Sequence, residues 1–451
     1  MQTTRQMANY VCQTGYADMD RIVIDRVKDI CLSALGSAVA GSRMDVSRLL
    51  ADYVGQSGAP REASLIGFGT GTSAELAAFV NCSASHCTEL EDVAFPEAAY
   101  TCHIVPSMFA LGEKLGASGR AILEAIVLGY EITARPAMTS KAFSRGWQAT
   151  AHFGTIGAAA GAGKLLGLNE AQMTHALSIA ASFAGGVGRQ TGSGAHVIEA
   201  GAAGRNGILA ATLAAAGLTG TPTIMEGKAG YWDAVGGNGE LDFVLGKGTD
   251  FRVMQVGFKA YPCCYFLQRI IDGVKQLVAE HRILPHEVDA VEVEVNALFQ
   301  RIVPHEHPRD GEEARFSLNH AVAAALAGDD VFVETFTVQS VQDPRLAALR
   351  PKVKMLRHAD WDGGVMESDN PLVIRMTDGR QFAKRCLTHH GDPKDPLDRQ
   401  EVIARFDRCA RGVLSAQVRG EVAALVYELD ELADVRGLMQ RLAAMETVDA
   451  R

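Results

Sequence analysis

A large all-helical domain built from both chain ends, with a smaller α+β domain inserted between them, is the mainly α fold that this sequence predicts. Three observations predict it. Apolar residues recur at helical spacing through the first half of the 451-residue chain and again near its end. Between those regions, stretches such as VDAVEVEVNALFQ alternate apolar and polar residues with the two-residue period of strands. Glycine is abundant, at 46 residues, while aromatic residues are only 6%, so interior helices are expected to cross closely with small side chains between them.

The elements follow in order. Val23, Val27, Ile30 and Ala34 mark the buried stripe of a first long helix, with Gly36 and Gly41 placed at its end. Helical patterns continue over 73–81, 105–116, 119–135 and 170–182. Past about residue 255 the alternation appears in VDAVEVEVNALFQ, TFTVQS, PKVKML and PLVIRMTDGRQFAKRC. In the last of these Thr377-Asp378-Gly379 reads as a hairpin turn. A helix over 318–327 interrupts the strands, which makes the region α+β. From about residue 397 the helical period returns. The division is 1–254 with 396–451 for the helical domain and 255–395 for the inserted one.

Composition narrows the function. The formal charge of −10 and the absence of any Lys/Arg run argue against a nucleic-acid partner. The Ala-rich stretches at 151–167 and 208–218 are short or broken by Lys164, and they read as buried helices rather than membrane spans. Nine scattered cysteines and no visible signal peptide suggest reduced thiols and a cytoplasmic location. The glycine run GFGTGTS lacks the spacing of a nucleotide-binding loop and reads as a turn.

Two stretches carry titratable residues at close spacing. In NCSASHCTELEDVAF, His86, Glu89, Glu91 and Asp92 lie together, and carboxylates shielded from water beside a histidine form a workable acid–base set. The alternatives are a solvated loop, or a structural zinc on Cys82, His86, Cys87 and His103, whose spacing matches no recurring zinc pattern. His103 precedes a helix beginning near Pro106, a position suited either to a neutral base or to a structural cap. Lys141, Arg145, Arg189, His196, Arg205 and Lys259 are basic residues in apolar or glycine-rich surroundings. They call for anionic partners, either internal carboxylates or those of a substrate. Cys263-Cys264 is not a CxxC redox motif and reads as core.

The segments AAFVNCSASHCTELEDVAF, GWQATAHFGTIGAAAGAGKLLGLNEAQMTHALSIAAS, EAGAAGRNGILAATLAAAGLTGTPTIMEG, FKAYPCCYFLQRIIDG and HGDPKDPLD stand in one order along most of the chain. In these segments the chain resembles the MmgE/PrpD family, whose members include 2-methylcitrate dehydratase, cis-aconitate decarboxylase and iminodisuccinate epimerase relatives. The resemblance implies a helical domain with an α+β lid, often in a homodimer, and no cofactor or resident metal. It aligns His86 and Asp92 with the ends of an HxxDFDD-like stretch, and Lys259, Tyr261 and Cys264 with a KxYPxC segment. Gln148, Glu199 and Gln268 stand where relatives have histidines, and His196 stands where many have lysine. A glutamine cannot abstract a proton. The expected catalytic set is therefore Asp92, His86, His103, His196 and Lys259, with His103 or His196 as the base. Arg145, Gln148, Glu199, Tyr261 and Gln268 are expected to bind substrate.

The implied activity is a hydro-lyase that abstracts a proton alpha to a carboxylate of a small di- or tricarboxylic acid. Lys259, His196 and Arg145 would stabilise the resulting negative charge. An epimerase, a decarboxylase of a related acid and a non-catalytic acid-binding relative are the alternatives.

Overall fold

The computed structural model describes residues 3–95, 98–142, 145–236, 244–361 and 369–444. The fold is mainly α-helical with a smaller sheet-bearing region inserted into the helical chain. One compact unit comprises Met1–Gln190, Ala195–Val256 and Asp398–Arg451, and the other Thr191–Gly194 with Gly257–Leu397.

In the larger unit, α1 (Arg21–Gly41) is buried at every position from Ile30 to Gly41, as expected of a helix surrounded by others. The sequence reading ended this helix at its glycines, but the helix continues through Gly36. A Cβ there would lie 3.1 Å from the Phe406 ring, so the glycine serves close packing rather than termination. Helix α2 (Ala74–Cys87) runs past the predicted end at 81 and carries His86 in its last turn. Then follow α3 (Val105–Leu115), α4 (Gly119–Thr139), α5 (Ala149–Leu165), α6 (Glu170–Phe183) and α7 (Gly194–Ala215).

Glycine sets how closely these helices approach. A Cβ on Gly157 of α5 would sit 2.3 Å from the Gly129 carbonyl of α4. In α7, Gly201, Gly204 and Gly207 recur every three residues and form one stripe. Added Cβ atoms would meet the Phe79 carbonyl of α2 at 2.3 Å, the His103 carbonyl at 3.0 Å and Ala158 of α5 at 2.4 Å, respectively. This stripe presses the start of α7 onto the end of α2.

The smaller unit is α+β. Helix α8 (Tyr265–His281) packs against α9 (Leu318–Leu326), and both cover a four-stranded sheet. Its strands are β1 (Val288–Asn296), β2 (Val353–His358), β3 (Asn370–Met376) and β4 (Gln381–Cys386), in the order β2-β1-β3-β4. Strands β1 and β2 are parallel, with Val291 beside Val353, and the other pairs are antiparallel. Leu372, Ile374 and Met376 alternate inward along β3. The β3–β4 hairpin turns at Gly379, whose φ of +89° suits glycine. Two expectations are corrected. Strand β1 stops at Asn296, whose side chain accepts from Phe299 N and starts a short helix. TFTVQS forms no strand, because the Thr337 side chain accepts from Ser340 N and caps the helical turn Val338–Val341.

Helices α10 (Arg399–Ala410) and α11 (Ala416–Tyr427) return to the larger unit. An Asp398–Glu401 capping box opens α10, and α10 packs along α1. Among the described residues no helix is long and apolar enough to cross a membrane.

Candidate active site

The glycine stripe of α7 brings two histidines from different helices together. The rings of His86, at the end of α2, and His196, at the start of α7, lie 4.6 Å apart between centroids at 67°. The backbone turns sharply after α2, where Glu89 adopts φ of +56°, a conformation usually left to glycine just past a helix end. A non-glycine residue there costs on the order of 1–3 kcal/mol. The turn directs the Glu89 carboxylate back toward both rings. Glu89 Oε1 lies 3.5 Å from His86 Nε2 and 3.7 Å from His196 Nε2. Glu91 Oε1 is 3.9 Å from His86 Nε2. All four side chains are buried, against the solvated-loop alternative.

The outer ring nitrogens fix the tautomers. His196 Nδ1 is 3.1 Å from Glu199 Oε2, and His86 Nδ1 is 3.4 Å from the Val197 carbonyl. Both partners accept, so both Nδ1 atoms donate, and each Nε2 faces Glu89, a further acceptor. Two unprotonated Nε2 atoms and a carboxylate oxygen repel one another in a buried site unless a proton or a cation lies among them. Glu199 is itself braced, since its Oε1 accepts from Val187 N at 3.1 Å. A Cβ on Gly186 would fall 3.1 Å from that Oε1, so glycine permits this close crossing.

The other expected site residues are placed as follows. Asp92 is fully buried; it accepts from Ser33 Oγ at 2.9 Å and lies 3.5 Å from the Arg405 guanidinium of α10. His103 packs its ring against Gly154, and its Nε2 lies 3.2 Å from Thr133 Oγ1. The Thr133 hydroxyl donates to the Gly129 carbonyl, so His103 Nε2 is the donor in that contact. Gln148 caps α5, its Oε1 accepting from Ala151 N at 3.0 Å. Arg145 is exposed.

In the smaller unit Lys259 is buried at 1% exposure. Its neighbour Phe258 donates from N to the Gly391 carbonyl at 2.8 Å, and the Phe258 carbonyl meets His389 Nε2 at 3.0 Å. Gly391 has φ of +112°, and a Cβ there would lie 2.5 Å from that same Phe258 carbonyl, so the HGDP run clamps the lysine segment. Tyr261 donates its hydroxyl to Asp272. Gln268 accepts from Tyr261 N at 2.9 Å and donates to the Tyr261 and Cys263 carbonyls. Both side chains thus shape the turn before α8.

Sequence reasoning left two features unassigned. One is Glu89, which belongs to the acid–base stretch read from sequence but not to the expected catalytic set. The other is His152 of α5, whose Nδ1 lies 2.8 Å from the Tyr231 hydroxyl and whose ring meets Trp147 edge-on at 4.3 Å. The zinc alternative on Cys82, His86, Cys87 and His103 is replaced. Among the described residues, the group able to share one ion is His86, Glu89 and His196.

Burial pushes His103 down to about 3 and His152 down to about 4, from 6.5. An unfolded chain therefore binds more protons than the folded one in this window. The stability that these neutral rings contribute is complete above about pH 6.5 and is lost as pH falls toward 4 and then 3. Each ring adds up to about 1.4 kcal/mol per pH unit to that slope. Urea unfolding at pH 7, 6 and 5 is expected to show it, with a shallower slope in His103→Asn; an identical slope in the variant would refute the assignment.

The MmgE/PrpD N-terminal domain matches residues 5–244, and the MmgE/PrpD C-terminal domain matches residues 261–429. The chain is 24% identical to a cis-aconitate decarboxylase of Aspergillus terreus, over 97% of this chain and 95% of that protein. It is 26% identical to the cis-aconitate decarboxylase of Homo sapiens, over 91% of this chain and 88% of that protein. The cis-aconitate decarboxylase of Mus musculus is also 26% identical, over 83% of this chain and 79% of that protein.

Proposed function

Because the chain belongs to the MmgE/PrpD family, we propose that it is a cofactor-independent decarboxylase of a small unsaturated tricarboxylic acid of the cis-aconitate class. The relatives named above favour decarboxylation over the dehydration that the sequence reading put first. The observation that carries the proposal is the convergence of His86 Nε2 and His196 Nε2 on Glu89 Oε1, at 3.5 and 3.7 Å. A proton held among these three atoms is a proton available for delivery.

In an acid of this class, a carboxylate on the methylene beside the double bond leaves as carbon dioxide. The pair from the broken carbon–carbon bond forms a new double bond. The displaced alkene pair takes one proton at the far carbon, so one proton is consumed for each carbon dioxide released. His196, oriented by Glu199, is the donor, and His86 with Glu89 returns the proton from solvent. Lys259, the lysine of the KxYPxC segment, keeps the substrate-carboxylate role that the resemblance implies. Asp92, paired to Arg405, braces the loop rather than exchanging protons, and His103, bonded to Thr133, orders the crossing of α4 and α5. Gln148 and Gln268 act through the backbone they hold, and Tyr261 through the Asp272 carboxylate, while the exposed Arg145 remains a substrate-binding candidate. The homodimer implied by the resemblance and the cytoplasmic location expected from the scattered cysteines are part of this proposal.

Proton NMR in deuterium oxide with cis-aconitate and a panel of di- and tricarboxylic acids tests it. One solvent deuterium per product molecule, with stoichiometric carbon dioxide, is expected. Deuterium entering recovered acid without carbon dioxide would make the protein an epimerase, a reading favoured by two histidines from separate helices flanking one carboxylate. Loss of water would restore the hydro-lyase. No change across the panel would leave a non-catalytic binding relative.

A further inference from the structure

We infer that His86, Glu89 and His196 form a binding site for one divalent transition-metal ion of the zinc class, which acts on the proton relay as a competitor and not as a cofactor. The binding inference rests on geometry alone, and only its inhibitory consequence rests on the reading above.

Three features support it. The first is the donor set. Two imidazoles and one carboxylate, all buried, place one ligand atom each within 4.8 Å of one another. Three protein ligands leave a fourth position for water, as in open zinc sites. The second is spacing. With metal–ligand bonds of about 2.0–2.1 Å, neighbouring donors in a tetrahedral site stand roughly 3.3–3.4 Å apart. The two carboxylate–imidazole separations, 3.5 and 3.7 Å, lie within a few tenths of an ångström of that edge. The imidazole–imidazole edge lies within 4.8 Å, so closing the site requires the two rings to turn toward one another.

The third feature is what lies behind the ligands, and it is independent of the cluster itself. Metal-binding histidines almost always donate their other ring N–H to a carboxylate or a backbone carbonyl, which fixes the tautomer and orients the ring. His196 does so to Glu199 and His86 to the Val197 carbonyl, at 3.1 and 3.4 Å. Each ring is thus turned so that its Nε2 points at the shared centre. Glu199 is held in its turn by Val187 N. The rings come from two helices whose approach the Gly201–Gly204–Gly207 stripe sets, so the donors are already positioned before any ion arrives.

The ion and the relay are mutually exclusive. Coordination uses the same Nε2 lone pairs and the same carboxylate oxygen that would otherwise share the proton. A bound ion therefore stops any step that draws on them.

Cobalt(II), which takes zinc sites and reports its ligands optically, is the probe. Chelator-treated full-length protein is titrated with cobalt(II) without substrate. The expected result is one equivalent bound, intense visible bands of a four- or five-coordinate ion, and no near-ultraviolet thiolate-to-cobalt band. Zinc should then displace the cobalt. Glu89→Gln and His196→Asn, each checked for folding by circular dichroism and thermal unfolding, should both lose the visible spectrum. Three results overturn the inference: no visible bands in the parent protein, a thiolate band showing that the nine free cysteines hold the ion, or the same spectrum in both folded variants. The parent protein's spectrum decides the matter even if a variant fails to fold. Zinc is then added during turnover. Binding without inhibition would retain the metal site and remove the relay from the mechanism, whereas turnover with no binding would do the reverse.

Discussion

His196→Asn lowers kcat by about 10²–10⁴-fold, the range expected on removing a positioned general acid or base, and leaves KM nearly unchanged. Asparagine keeps an amide N–H where His196 Nδ1 now donates to Glu199, so the bracing at 3.1 Å can survive. What disappears is the second nitrogen, which faces Glu89 Oε1 at 3.7 Å. Glu199→Gln provides the graded companion. Its amide can present either an oxygen or an N–H to His196 Nδ1, so the tautomer is no longer fixed, and a loss of about 10–100-fold is expected for a partner acting through another residue. Carbon dioxide release measured against substrate concentration gives kcat and KM separately, and thermal unfolding shows whether each variant is folded. A folded asparagine variant as fast as the parent would remove His196 from proton transfer.

Gly201→Ala has the largest expected effect on the scaffold. A single methyl there would lie 2.2 Å from Ser83 Oγ and 2.3 Å from the Phe79 carbonyl. The serine can rotate away, but the carbonyl belongs to the backbone of α2, so the helices must separate. Overpacking of this kind costs about 1–3 kcal/mol and sometimes more. Separation also parts His86 from His196, so activity should fall further than the loss of folded protein explains. Gly420→Ala in α11 is the matched control. A Cβ at Gly420 has no atom within 4 Å, and alanine should stabilise the helix by about 0.5–1 kcal/mol. Urea unfolding of both variants, with activity per folded molecule, separates the two effects. Equal stability for Gly201→Ala and the parent would show that the stripe does not set the helix spacing.

Much of this architecture is legible in the sequence, because burial has a period. The stripe through Val23, Val27 and Ile30 marks α1, and the alternation in PLVIRM marks β3. TFTVQS misled because its β-branched residues alternate as a strand's do, while Thr337 forms a cap that competes locally with any ladder. Gly36 misled because a glycine can end a helix or let another helix approach, and only the distant Phe406 distinguishes the two. The candidate site is written twice in a form that was available: His86 and Glu89, and His196 and Glu199, are both His-x-x-Glu pairs. Two such pairs 110 residues apart in sequence carry no sign that they share a centre. Nor does sequence show that Gln148 and Gln268 hold backbone, since a capping amide and a substrate-binding amide are the same side chain.

The reach of Arg405 bears on the order in which the protein is made. Its guanidinium donates to Ser33, 372 residues earlier in the chain, and to the Leu90 carbonyl, and it pairs with Asp92. The loop bearing Glu89 and Asp92 leaves the ribosome long before the residue that fastens it. While the whole inserted unit is being synthesised, the larger unit waits with a buried carboxylate still lacking this arginine, and non-local closure of this kind is slow. Translation speed through the inserted unit and chaperone occupancy over that interval are therefore expected to govern how much chain reaches the finished state.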